Sequence, residues 1–417
     1  MIYFGLKPIA KFLRMKDALA FSSSSMSQVI KSLFANNEQG FAFDFNDLST
    51  MYQDAAGTIP VTGVGQPVGL ILDKSKGVAL GAEKIINGDF ANGTTGWVSG
   101  THWTATLGTS TDALIITTNS ANGYGCAIQA VPLVAGKTYK ITGKYRSSQG
   151  GKPAIGLGTS TGAVNKILVS STTSVEFVEF SAIFTHTSGS LMLYNNTTAN
   201  GVVSEFKNVS IKEVLGNYAT QSTSAKRPIL QQNAITGAYY LEFDGVDDHL
   251  VTSNVNLATA NNLTIFAGIY KATDSGFVRT VLEIGESVDN IDKTISINIY
   301  SDSNEKLTLV NHNKIITIAA CTDPLFNAPK SIVFTGVINN AAGYMFEQLN
   351  KTTKIQKTFT PTNNTYTNFA ANIGNRTNGS RPWSGYIYNL VGISRLATDA
   401  EITNMENAIA KNVGVTL

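Results

Sequence analysis

Cysteine is nearly absent: Cys126 and Cys321 are the two in 417 residues. They stand far apart and, on the division below, in different domains. A disulfide framework or a zinc site therefore lacks its material, and the fold must rest on packing. Charge is scarce as well. Charged residues make up 14%, and 31 Lys and Arg against 29 Asp and Glu leave a formal net charge of +2. That balance gives no electrostatic footprint for nucleic acid, and after residue 40 no basic stripe interleaved with aromatics appears, so no nucleic-acid partner is expected. No stretch approaches the roughly 18 to 20 apolar residues of a membrane span. The opening stretch MIYFGLKPIAKFLRMKDALAF is basic and apolar, but Lys7-Pro8, Lys11 and Arg14 interrupt the run that a signal peptide requires. A soluble chain with no membrane partner and no export signal is expected. His102, His186, His249 and His312 are scattered without metal spacing, and none stands beside a Ser or Cys in a nucleophile context.

What is present is turn chemistry. The chain has 37 Gly, with many Asn, Ser and Thr separating short apolar runs, which is the profile of β-sandwiches. The length calls for more than one core. The expected fold is all-β, two jelly-roll sandwiches with one inserted ahead of the other, plus a short helical N-terminal arm and a C-terminal helix. Ser25-Met-Ser-Gln28 has capping-box form, and Met26, Val29, Ile30, Leu33 and Phe34 recur at helical spacing, predicting a helix over about 26–35. Ahead of it, Lys7, Lys11, Arg14 and Lys16 alternate with Ile9, Phe12, Leu13 and Leu19 in a weaker amphipathic pattern. Residues 1–40 thus form an arm with three roles open: a docking element for a larger assembly, a helical arm packed on its own sandwich, or an element that binds a membrane surface.

From residue 41 short strands alternate with turn signals up to Lys74, and the pattern resumes at Asn217. Residues 41–77 and 216–235 are read as one connecting segment, and 78–215 as an insertion between its halves. The insertion shows strand patterns near 112–118, 125–132, 137–145, 165–170, 175–184, 189–194 and 203–213. Asn87-Gly-Asp-Phe90 with Gly96-Trp97, closing on Phe206-Lys-Asn-Val-Ser-Ile211, resembles a carbohydrate-binding-module jelly roll of the type appended to xylanases and glucanases. That family usually carries an acidic residue where Lys207 sits, and its Gly-Trp packs in the core. Residues 236–417 form the last domain. Tyr240-Leu-Glu-Phe-Asp-Gly-Val-Asp-Asp-His-Leu250, Leu263-Thr-Ile-Phe-Ala-Gly-Ile269, Ile373-Gly-Asn-Arg376, Trp383-Ser-Gly-Tyr-Ile-Tyr388 and Ile393-Ser-Arg-Leu-Ala-Thr-Asp-Ala-Glu-Ile402 together resemble a laminin-G-like, concanavalin-A-like jelly roll. Thr398 is placed to cap a terminal helix of Ile402, Met405, Ile409 and Val413.

The segment Glu242-x-Asp244-x-x-Asp247 is the strongest chemical signal. On a strand Glu242 and Asp244 share a face about 7 Å apart, and bringing in Asp247 requires a bulge. Retaining glycosidases hold two carboxylates about 5 to 5.5 Å apart across the sugar, one tuned to stay protonated, and normally place Glu at the third position. Asp247 is one methylene shorter, and the laminin-G-like pattern carries the same acids without catalysis. Three roles stay open: turn formation, a calcium site of Asp244, Asp247 and Asp248 or a sugar contact, or, as the enzymatic alternative, cleavage of a polysaccharide near Glu242. Asp289 with Asp292, and Asp302 with Asn304 and Glu305, are further oxygen-ligand candidates, although the latter run equally reads as a hairpin turn. No cofactor is expected beyond a structural calcium.

Sugar binding depends more on aromatics, whose flat faces stack on pyranose rings. Trp103, after Thr101-His102, and Trp383, with Arg376 nearby in sequence, are the candidates for carbohydrate contact.

Asp47-Leu-Ser-Thr-Met-Tyr-Gln-Asp54, Thr58-Ile-Pro-Val-Thr62, Gly65-Gln-Pro-Val-Gly69 and Leu72-Asp-Lys74, continued by Ala219-Thr-Gln221 and Lys226-Arg-Pro228, resemble bacteriophage and prophage virion proteins in which such a segment precedes a jelly roll. The resemblance implies a non-enzymatic virion structural protein, a capsid decoration or a tail-fibre component, assembled in the host cytoplasm. Its implied partners are other virion proteins through the N-terminal arm, bacterial surface polysaccharide, and further copies of itself in the particle, where many weak sites would act together.

Overall fold

The structure is a computed structural model. It describes residues 25–119, 124–159, 164–274, 276–285, 295–300, 306–313, 315–323, 326–363 and 365–417. The basic part of the arm before Ser25, both oxygen-ligand candidates at 289–292 and 302–305, and the side chains of His312 and Cys321 lie outside the described residues.

The fold is all-β, with strands in four antiparallel sheets and a helix near each end of the described chain. Two sheets build the larger sandwich. One runs in the order Ile229–Gln232, Tyr239–Asp244, Ser384–Ile393, Asn262–Lys271, Lys330–Asn339, Tyr344–Leu349, Ile355–Thr358, with Gly40–Asp44 also paired to Ser384–Ile393. The other contains Met51–Tyr52, Leu70–Ile71, Ala219–Thr220, Leu250–Val255, Phe369–Ile373, Arg279–Ile284, Ile295–Tyr300, Lys306–Asn313 and Ile315–Asp323. Between them lies one continuous apolar core in which Phe41, Phe43, Met51 and Ile71 join Leu241, Phe243, Ile265, Val281, Ile373 and Leu390. Residues from 41–77 and 216–235 therefore do more than connect: they add strands to both sheets. Their hydrophobic alternation is completed only by the strands that follow residue 238, which is why neither half could bury its apolar face alone.

The capping box at Ser25 and the cap at Thr398 form as expected, and Thr398 proves to share a second capping box with Glu401. Helix α1 spans Met26–Leu33, with the Gln28 amide donating to Ser25 Oγ and the Ser25 amide to Gln28 Oε1. Helix α2 spans Asp399–Val413, capped reciprocally by Thr398 and Glu401 and ended by Gly414 in the left-handed region. Both helices lie on the outer face of the eight-stranded sheet, where Val29, Ile30 and Leu33 pack with Met405, Ile409, Phe266, Val333 and Val391. Of the roles open for the arm, residues 26–33 take that of a helix packed on its own sandwich. Arg395 ties the two helices together: its guanidinium donates to Leu33 O, to both Glu401 carboxylate oxygens at 2.6 and 2.8 Å, and to Glu38. Arg395 holds the Glu401 carboxyl down at about 2.

The insertion carries the other two sheets and its own core of Trp97, Leu114, Ile141, Leu157, Leu193, Phe206 and Ile211. Its chain enters after Asp73 and leaves before Asn217. The buried Asp73 carboxylate accepts N–H groups from Ala42, Ser75 and Asn217 at 2.7–2.8 Å, so one side chain stitches entry to exit. Leu70, Leu72, Ile183, Val214 and Tyr218 form the apolar joint between the two sandwiches.

Candidate functional site

The insertion's five-stranded sheet runs Val164–Val169, Pro153–Gly158, Ser190–Asn195, Cys126–Gln129, Val98–Ser99. A sheet over one core buries alternate residues, but Ser190–Asn195, Cys126–Gln129 and Pro153–Gly158 are buried on both faces. Leu191, Leu193 and Ala127 point into the domain core, while Met192, Tyr194, Cys126, Ile128 and Ala154 point away from it. This second apolar layer is completed by Trp103, Tyr124 and Val164.

Trp103 is placed there by backbone contacts. Its carbonyl accepts both the Cys126 N–H at 3.2 Å and the Cys126 thiol at 3.3 Å, while Gly100 donates to Cys126 O. A Cβ at Gly100 would meet Cys126 Sγ at 2.6 Å, so glycine permits this loop to lie on the sheet. Burial pushes the Cys126 thiol up to about 11, which makes it a packing group and not a nucleophile at neutral pH. The rings of Trp103 and Tyr124 meet edge to face at 4.6 Å, and each lies about 6.4 Å from Tyr194. Tyr194 is buried at the base, and burial, with Tyr124 adding, pushes its hydroxyl up to about 12. Trp103 and Tyr124 are half-buried above it, beside exposed Thr101 and His102. An aromatic corner of this kind offers ring surface to an apolar sugar face at low entropic cost. Trp103 alone was visible in the sequence. Tyr124 and Tyr194 follow only from the register that sets Tyr194 opposite Cys126.

Asp244, Asp247 and Asp248 do converge. Their carboxylate oxygens lie within 4.8 Å of one another, with Asp244 exposed, Asp247 half-buried and Asp248 buried. The turn is held by Gly245 at φ +77°, by Asp244 Oδ1, which accepts the Val246 N–H at 2.8 Å, and by Asp248 Oδ2, which accepts the Asp244 N–H at 3.1 Å. Lys226 reaches Asp247 at 3.5 Å. Burial raises the Asp248 carboxyl to about 6, with Asp244, Asp247 and Glu242 adding. The three acids share one turn and do not face each other across a groove, which is the geometry of a turn or an oxygen-ligand set. Glu242 stands apart on the outward face of its strand, accepting from the Gln231 amide at 3.0 Å.

The other two sugar-contact candidates need correction. Trp383 is 1% exposed and belongs to the core of the larger sandwich, so neither ring face is open to a ligand. The Arg376 guanidinium is directed inward: its Nε donates to Glu283 Oε1 at 2.7 Å, where Glu283 is fully buried and also accepts from Thr377. A buried carboxylate needs such a partner, and this requirement fixes Arg376. Trp97 packs in the insertion core as its Gly-Trp context implied. His249 is tied to Gln221 and to Asp247 O. No helix among the described residues is long and apolar enough to cross a membrane.

No protein-family model and no curated protein matches the chain. Solved structures are similar to parts of it. A SAP-like pentraxin from Limulus polyphemus has 15% identity, covering 40% of this chain and 80% of its own, with a TM-score of 0.33. A family 29 carbohydrate-binding module complexed with mannohexaose has 17% identity, covering 29% of this chain and 82% of its own, with a TM-score of 0.24. The enzymatically active domain of bacteriophage CBA120 tailspike protein 2 has 14% identity, covering 46% of this chain and 30% of its own, with a TM-score of 0.36. At such values the likeness is confined to parts and says nothing of function.

Proposed function

We propose that this chain is a non-enzymatic display protein of a bacteriophage particle, whose inserted sandwich holds host surface polysaccharide at the Trp103 corner. The observation that carries the glycan reading is the half-buried pair Trp103 and Tyr124 over Tyr194, on the outward apolar face of the insertion's five-stranded sheet. A pyranose stacked on Trp103 would bury ring area there, with its hydroxyls left to water and to Thr101 and His102. The virion role rests on the sequence resemblance at 47–74 and 219–228, and any anchor to other virion proteins falls to the residues before Ser25. Multiple copies on a particle would convert a weak site into firm attachment.

The test is retention of the purified chain on host polysaccharide. Trp103→Ala should weaken binding at least about tenfold with the melting temperature of the larger sandwich unchanged. Undiminished retention would remove the site. The enzymatic alternative is checked on the same polysaccharide: release of reducing sugar that disappears in Glu242→Gln or Asp244→Asn would replace binding with hydrolysis. Deleting residues 1–24, while keeping α1, should abolish incorporation into particles.

A further inference from the structure

A second surface lies on the insertion's other sheet, where charges of one sign face each other. Thr138–Ser148 and Val203–Val214 are neighbouring strands, and their register sets Lys144 opposite Lys207 and Lys140 opposite Lys212. Between these pairs Thr142 stands opposite Ser210. Tyr145, Phe206, Ile141 and Ile211 at the alternate positions lie in the insertion core, so the lysines point outward, where all four are half-buried. A bulge makes this possible. The register shifts between Lys207 and Ser210, with Asn208 in the left-handed region at φ +48°. Without that extra residue the strand beyond it would turn over, and Ile211 would take the outward place of Lys212.

Like charges directly opposite each other destabilise a strand pair. The margins of the same face show the usual solution: Lys144 meets Glu179 of Val178–Thr185 at 3.2 Å, and Arg146 meets Glu205 at 2.7 Å. Among the described residues, Lys140, Lys207 and Lys212 have no carboxylate within ion-pair distance. Glu83 is set opposite Lys212 on the next strand, Leu80–Glu83, but its carboxylate accepts from the Ser210 hydroxyl and from the N–H groups of Lys84, Ile85 and Ile211. Lys207 lies over the Phe177 ring, 5.3 Å from its centroid, and Arg146 shares that ring at 4.5 Å. The positive strip is therefore one strand pair wide and about 13 Å long from the Lys144 to the Lys140 position. Glu179 borders it on one side and Glu83 on the other. A broad anionic surface would bring its charge against those acids. A single-stranded nucleic acid would need open ring faces to stack on, and Phe177, the ring beside the strip, is occupied by Arg146 and Lys207. One extended chain with carboxylates at intervals fits the strip.

We propose that the Lys144–Lys207 and Lys140–Lys212 pairs bind an acidic polysaccharide, a chain of sugars that bear carboxylates. The ligand supplies the counter-charge that the sheet omits, and the repulsion between facing lysines is relieved when it is bound. The strip stands on the other sheet from the Trp103 corner and takes no residue from it.

The whole chain is run on affinity gels containing polygalacturonate, and on gels containing the same polymer with its carboxyls methyl-esterified. Affinity for the acid form should exceed that for the ester at least about tenfold and should fade as salt is raised. Lys140→Gln with Lys212→Gln should weaken binding about tenfold, with a melting temperature unchanged or raised because a like-charged pair is gone. Lys140→Arg with Lys212→Arg keeps the charge and should retain binding. Removing two exposed lysines elsewhere, Lys152→Gln with Lys357→Gln, should leave it unchanged, as should Trp103→Ala. Polyglutamate and single-stranded DNA should each bind at least about tenfold more weakly than polygalacturonate. Equal binding of the ester, of polyglutamate or of the DNA would overturn the assignment. So would an unchanged affinity or a lowered melting temperature in Lys140→Gln with Lys212→Gln, or an equal loss in Lys152→Gln with Lys357→Gln.

Discussion

The two sandwiches cover the outside of a sheet in different ways. The larger one lays α1 and α2 across its eight-stranded sheet, so the outer apolar layer is sealed by two helices that Arg395 binds to each other. The inserted one covers its five-stranded sheet with loops, and loops close a surface incompletely, leaving Trp103 and Tyr124 half in water. Helical cover suits stability. Loop cover leaves aromatic surface open beside Cys126 and Tyr194, at the ends of their strands. The contrast places the sugar candidate in the insertion and the rigid scaffold in the sandwich that holds it.

Substitutions can separate the two halves of that contrast. The largest effect is expected from Trp383→Ala, which removes a large, fully buried side chain from the scaffold core and should cost about 4 kcal/mol. Urea unfolding followed by ring fluorescence should show the loss in the scaffold transition, with the insertion's own core unaffected. Arg376→Met leaves Glu283 buried without its partner and should cost about 3 kcal/mol in the same transition.

Asp248 gives a smaller effect with a defined pH dependence. Its folded carboxyl is raised to about 6, above the unfolded value, so the scaffold gains stability from this group as pH falls from 7 towards 4 and loses it as pH rises through 6. Asp248→Asn should flatten that dependence and stabilise the protein near pH 7 by about 2 kcal/mol. A calcium ion among Asp244, Asp247 and Asp248 would reverse the comparison, because the native acid would then gain from ionisation. Melting curves at pH 5 and 7, with and without added calcium, distinguish the two. The smallest effect is expected from Ser25→Ala, which removes one half of the α1 capping box at about 1 kcal/mol.

Local chemistry was legible in the sequence wherever neighbouring residues settle it. The capping box at Ser25 and the cap at Thr398 announced both helices, and alternating runs announced strands such as Ala113–Thr118 and Val203–Val214. Pro153–Gly158 escaped because PAIGLG, with two glycines, reads as a turn until Ser190–Asn195 pairs along its whole length. The acidic turn could be drawn from its own spacing. Long-range partners could not: nothing near Arg376 in the chain signals Glu283, and nothing near Trp383 distinguishes a core tryptophan from a rim one. Tyr124 joins Trp103 only through the folding of two loops onto one sheet, and the Lys144–Lys207 and Lys140–Lys212 pairs exist only once two strands distant in sequence are set side by side.

The stitch at Asp73 bears on how this chain was assembled. Because one carboxylate receives amides from both flanks of the inserted module, the host strands on either side are held in place whatever hangs between them. A lineage could swap that cassette for another, or lose it through a short splice, and keep the shell that carries it. Recognition and architecture are then free to change at different speeds.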